Sequence, residues 1–270
     1  MITTRNMRPN VIERPFNKMG ARVKVDSFAP NRWRRDTTPT VSLNVRRDEK
    51  GEYFQITKDP EVDLQVLHLD VKDRHLLLMA RRPSERLHQP PVSSKFLLGH
   101  DERHWFVAGI SRASVSTVAQ AKDSLKPVVV KEAEKGLSRK HLNRRKNAAR
   151  VRQGEWFFIP VDVKVDARQI HKNEPIRRGR SKPHMCAELY REGGESVWVN
   201  RENPNGISGA EYQRLPESQR GPGWRNMVRN ARVLVRGRIT HPDHETLVLN
   251  GWHEVHMNSE AGSAEVAFLD

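Results

Sequence analysis

Alternation of apolar and polar residues is the dominant pattern in this chain. In "ARVKVDSF" (21–28), "TVSLNVRR" (40–47) and "EYFQIT" (52–57) the two kinds take turns, the period-2 signature of a half-buried strand. "DEKG" between the last two predicts a hairpin turn ending at Gly51. "LQVLHLDV" and "HLLLMARR" flank the turn "KDR", and "KFLLG" and "HWFVAGI" flank "HDER", so two more hairpins are expected. "RPSERLHQPPVSS" must be a loop, because Pro90-Pro91 removes two backbone donors and fixes two φ angles. Residues 1–19 mix Pro, Asn and Arg without periodicity and predict an irregular arm.

The period changes near residue 114. Val115, Val118 and Leu125 fall on one helical face, with Ser114 or Ser116 as candidate N-cap and Pro127 as the stop. A second helix is predicted over about 131–152, with Gly136 as its weak point. Its only apolar residues are Leu137, Leu142, Ala148, Ala149 and Val151, too thin a stripe to bury much of it. "EWFFIPVDVKV", "SVWVN", "ARVLVRGRIT" and "TLVLNGWHEV" return to strand character. Short helical turns are expected at "SGAEYQR" and "GWRNMVRN", and a basic loop over 166–183. The fold class is therefore α+β: strand-rich N- and C-terminal parts, mainly antiparallel hairpins, joined by a helical and strongly basic middle. The implied divisions are an arm at 1–19, an N-terminal α+β domain at 20–127, a basic helical segment at 128–153, and a C-terminal β-rich domain with an acidic tail at 154–270.

Composition sharpens this picture in one respect. The chain has 48 Lys and Arg against 33 Asp and Glu, a formal +15, while 36% of it is hydrophobic. Mean hydropathy is −0.77 and the isoelectric point near 10.3. Positive charge raises encounter rates with polyanions. Nucleic acid is the leading partner, with an anionic membrane surface or mere solubility as the alternatives. The charge is also uneven. Residues 1–47 carry a net +8, residues 131–152 a net +7, and the tail from Glu254 a net −4.

The cations of the middle segment define the candidate interface: Lys135, Arg139, Lys140, Arg144, Arg145, Lys146 and Arg150. Like charges three or four apart weaken an isolated helix, so neutralisation by phosphates is a natural reason to keep them. Each such contact releases counterions and gives affinity without sequence preference. "NRWRRD" adds Trp33, Arg34 and Arg35, a pairing suited to base stacking beside phosphate contact. "IRRGRSKPH" adds Arg177, Arg178 and Arg180 around Gly179. Each segment also reads simply as solvated surface. Helix-turn-helix, zinc-finger and RRM signatures are absent, and DNA and RNA are not distinguished.

Twelve histidines raise a second chemistry. His100 and His104 in "GHDERH", and His241 and His244 in "THPDHET", stand beside acids, a composition suited to Zn²⁺, Mn²⁺ or Fe and hence to metal-dependent phosphodiester cleavage. Against this, "HPDH" reads as an exposed hairpin turn, and His253 and His256 on a strand would point to opposite faces. Divalent metal is thus expected only under the nuclease alternative, and no other cofactor is. Cys186, near His184 and Glu188, is a weak candidate nucleophile. Being alone, it excludes an intrachain disulfide and a cysteine-based zinc site. No G-x-S-x-G, P-loop or G-x-G-x-x-G occurs.

The opening "MITTRNMRPNVIERPF" has no signal-like apolar core, and no run approaches the ~20 apolar residues of a membrane span. A soluble intracellular protein, cytoplasmic or nucleoid/nuclear, is expected. A third reading is an interaction subunit of a nucleoprotein assembly, its acidic tail meeting a basic surface.

Overall fold

Strand alternation in the sequence becomes antiparallel sheet in both halves of the chain. The computed structural model describes residues 10–28, 41–83, 91–111, 114–178 and 181–260. The chain divides between Lys126 and Pro127, with Ser259 and Glu260 belonging to the first unit.

Among the described residues the first unit opens with α1 (Asn10–Lys18), where part of an irregular arm was expected; residues 1–9 of that arm lie outside the described residues. Ile12, Phe16 and Met19 recur at helical spacing and are buried. Phe16 meets Phe54 edge-on at 5.4 Å between ring centroids, and Phe54 meets Trp105 at the same distance. The helix stops at Gly20, whose φ of +80° is costly for other residues. β1 (Val23–Ser27) runs parallel to β3 (Gly51–Lys58), and β2 (Val41–Asp48) pairs antiparallel on the other side of β3. Asp48 lies opposite Gly51 across the tight turn that the sequence predicts.

A four-stranded antiparallel meander follows: β4 (Asp63–Asp70), β5 (His75–Arg82), β6 (Val92–Asp101) and β7 (His104–Ile110). Leu64, Leu76, Leu78 and Leu98 join the core beneath α1. Leu77, Leu97, Ala108 and Ile110 pack instead with Val118, Ala121 and Leu125, on and just after α2 (Val118–Ser124). Covering both faces explains why Leu76, Leu77 and Leu78 are all buried rather than alternating. The N-cap of α2 is Thr117, not Ser114 or Ser116. Its hydroxyl accepts from the Gln120 amide at 3.2 Å, while the Gln120 side chain accepts from the Thr117 amide at 3.1 Å.

The second unit opens with α3 (Val128–Ala133) and the single turn α4 (Arg139–Leu142). The long basic helix expected over 131–152 is not formed. Gly136 takes φ +86° and turns the chain out of helix after α3. A six-stranded antiparallel sheet carries the core. It comprises β8 (Val151–Gln153), β9 (Trp156–Pro160), β10 (His171–Ile176), β11 (His184–Glu192), β15 (Arg232–His241) and β16 (His244–Met257), ordered β10-β11-β15-β16-β9-β8. A small sheet joins β12 (Glu195–Val199), β13 (Ile207–Ser208) and β14 (Arg225–Arg229), with α5 (Gly209–Arg214) beside it. Two local expectations are corrected. The stretch 171–176 is strand β10 within the predicted basic loop, and "GWRNMVRN" holds strand β14 rather than a helical turn.

Trp156 and Phe158, with Ile176, Leu189, Val233, Val235 and Ile239, form the core of the large sheet. "WFFIP" is thus a buried strand, each large side chain removed from water contributing roughly 1.5–3 kcal/mol. Among the described residues no helix is long and apolar enough to cross a membrane.

Candidate functional site

The basic segment between α3 and β8 is organised by one of its own cations. Arg150 is buried, and its Nε donates to Glu134 Oε1 at 2.8 Å. Its two terminal nitrogens donate to the Arg145 carbonyl (3.1 Å) and the Leu142 carbonyl (2.9 Å). The guanidinium carbon lies 5.1 Å from the centre of the Phe157 ring. Asn147 completes the arrangement. Its amide donates to Glu134 Oε1 at 2.9 Å, and its Oδ1 accepts from the backbone N–H groups of Ala149 and Arg150. One arginine fork and one asparagine therefore satisfy backbone groups that a helix would have satisfied. Burial pushes the Arg150 guanidinium pKa down, opposed by the carboxylate of Glu134.

This arrangement changes the roster of candidate contacts. Arg150 is consumed by the fold and offers no free face to a phosphate, which corrects its assignment to the interface. Lys135 is exposed and ion-paired with Glu132. Arg145 is half-buried, its carbonyl accepting from Arg150 and from the Arg152 amide at 2.7 Å. Arg139, Lys140, Arg144 and Lys146 are exposed, and among the described residues none of the four has an acidic partner. Arg168, Arg201, Arg225 and Arg238 of the same unit are likewise exposed without an acidic partner among the described residues, whereas other arginines are paired. Arg191 faces Glu174 (3.1 Å), Arg229 faces Glu195 (2.7 Å), and Arg232 bridges Glu192 (2.5 Å) and Glu254 (2.7 Å).

Of the second basic stretch, Arg177 is exposed and Arg178 donates to Asn258 Oδ1 at 3.0 Å. Arg180, and the trio Trp33, Arg34 and Arg35, lie outside the described residues.

The histidines separate into two settings. In the first unit, His104 Nδ1 lies 2.6 Å from Glu52 Oε1, and His100 stacks edge-on against Trp105 at 4.9 Å. Burial and the nearby Arg74 depress the pKa of His100. Among the described residues neither joins a group able to supply three metal ligands. In the second unit, His241 and His244 close the β15–β16 hairpin, the predicted "HPDH" turn, paired across the strands, but both are half-buried where an exposed turn was expected. A third ring, His184, stands beside them.

The convergence follows from register. Met185 of β11 lies opposite Thr240 of β15, which sets His184 beside His241, while His241 lies opposite His244. Directly opposed residues in antiparallel sheet share a face, so the three imidazoles form a row across three adjacent strands. Ring centroids are 4.2 Å apart for His184–His241 and 4.6 Å for His241–His244. His184 is only 1% exposed, and neither of its ring nitrogens has a hydrogen-bond partner. Leaving a buried polar group unmatched costs about 1–3 kcal/mol. Burial, reinforced by the two neighbouring rings, drives its pKa down to about 3, so it is neutral near pH 7.

The surroundings hold this row in place. The tight turn between β8 and β9 approaches so closely that a Cβ on Gly154 would lie 2.7 Å from His244 Nε2. The Gln153 amide nitrogen donates to the Glu245 carbonyl at 2.5 Å. Gln153 Oε1 and Trp156 Nε1, both buried, lack partners. The Asp243 carboxylate is held by Lys182 Nζ at 2.8 Å to each oxygen.

Cys186, two residues beyond His184, is fully buried, and its thiol is pushed up to about 12. A protonated, inaccessible thiol is a core group and not a nucleophile. The sequence named His241 and His244 but placed His184 only beside this cysteine. Nothing in the sequence reveals that β11 neighbours β15, and that pairing is what creates the site. Comparison with protein-family models, with curated proteins and with solved structures finds no match.

Proposed function

We propose that this protein binds nucleic acid through the phosphate backbone, with Arg139, Lys140, Arg144 and Lys146 as the principal contacts. One observation carries the reading: four exposed cations within eight residues lack acidic partners among the described residues, in a segment pinned by the buried Glu134–Arg150 pair. Arginines facing glutamates across the nearby strands have their charge largely cancelled. The 139–146 segment keeps its potential for a partner, and a polyanion is the partner that such a surface attracts. Contacts of this kind position a backbone without reading bases, so affinity independent of sequence is expected. The side chains project from a single helical turn and an ordered coil, which lowers the entropy of fixing them on binding.

The test is equilibrium binding to labelled single- and double-stranded DNA and RNA at low salt. The wild type is compared with a variant carrying Arg139→Glu, Lys140→Glu, Arg144→Glu and Lys146→Glu. Submicromolar binding to at least one polymer, weakened at least about 100-fold in the variant, supports the reading. Equal affinities for the two proteins would remove this segment from the interface.

A further inference from the structure

We infer that His184, His241 and His244 form a binding site for one divalent transition ion of the zinc type, with its remaining coordination position open to water or an anion. Three observations converge on it. One ring nitrogen from each of the three histidines lies within 4.8 Å of the other two. Strand register places the rings in one row, so the fold itself and not a chance rotamer brings them together. His184 is buried with both ring nitrogens unmatched, a condition that a bound cation relieves by taking one lone pair.

The donor set selects the ion. Three imidazoles suit zinc, copper(II), nickel and cobalt, whereas calcium and magnesium prefer oxygen. Cys186 Sγ contacts the His184 carbonyl at 3.9 Å and is buried in the core, so thiolate does not enter the set. The carboxylate of Asp243 is engaged by Lys182, which leaves three protein ligands and an open position, as in open zinc sites. Tetrahedral zinc with Zn–N near 2.0–2.1 Å requires nitrogens about 3.3–3.4 Å apart. Binding therefore draws the row inward. His184 is fixed by the core, so the two half-buried rings on the turn make the movement. The Asp243 amide, which donates to His241 Nδ1 at 3.1 Å, gives up that hydrogen bond if Nδ1 becomes the ligand. The site lies wholly within the second unit and does not depend on nucleic-acid binding.

The experiment is titration of the full, chelator-treated chain with Zn²⁺ by calorimetry, and with Co²⁺ followed by visible absorption. His241→Ala and His244→Ala are the test variants, since both positions lie on a turn and spare the core. The inference predicts one equivalent of Zn²⁺ per chain and tetrahedral Co²⁺ absorption, with affinity falling more than about 100-fold in each variant. That loss exceeds the ~10–100-fold typical of removing a supporting outer contact. Absence of a stoichiometric equivalent in the wild type overturns the inference. So does an equivalent that both variants retain, provided their circular dichroism matches the wild type.

Discussion

Arg150 shows how far a residue's role can depart from its composition class. In the sequence it is one of nine cations between residues 131 and 152; in the structure it is the buried centre of a polar network. Removing one partner of a buried ion pair strands the other, at a cost of about 3–5 kcal/mol. Arg150→Ala or Glu134→Ala should therefore lower unfolding stability by that amount in urea. Arg144→Ala, at an exposed site, should stay within about 0.5 kcal/mol.

His75 makes a second prediction at this scale. It is buried against Gly99, and burial together with the nearby Lys122 lowers its pKa from 6.5 to about 4. A depressed histidine pKa means that the unfolded chain takes up a proton before the native one. Stability is unaffected above pH 6.5, falls as pH drops from 6.5 towards 4, and then levels. The total loss is roughly 3 kcal/mol from this residue. Urea midpoints measured from pH 7 to 4 should fall over that range, and His75→Gln should make the fall shallower, the remainder reflecting other histidines of depressed pKa such as His184.

At the scale of elements, period-2 alternation proved a reliable guide and helical reasoning a poorer one. The strands of the first unit, and β9, β12, β15 and β16 of the second, fall where alternation or apolar runs place them, except that β6 starts at Val92, inside the loop expected over 82–94. The "HPDH" turn was equally legible, because Pro-Asp between two strand patterns leaves little else. α1 was hidden because Pro15 and Asn17 obscure a three-residue apolar stripe. The basic helix failed for the opposite reason: Lys and Arg have good helix propensity, but propensity is weak beside the arginine fork and the glycine that shape this segment. His184 was out of reach, since its partners depend on strand order over more than fifty residues of chain. α2 offers a clean check on local reasoning. Thr117→Ala removes half of a capping box and should cost about 1 kcal/mol, measured as a fall in unfolding free energy.

At the scale of the whole molecule, charge is the property that needs explaining. A formal +15 is tolerable in a folded chain when acids face cations, as glutamates do across much of the second unit's sheets. The four exposed cations of 139–146 escape that compensation. Binding driven by them must weaken with salt, because its free energy comes largely from released counterions. The most direct measurement is the slope of log affinity against log salt concentration on duplex DNA, wild type beside the four-fold glutamate variant. Four phosphate contacts predict a slope steeper by about 3.6 in the wild type than in the variant, at about 0.9 per contact. Identical slopes, or affinity that does not change with salt, would contradict the account.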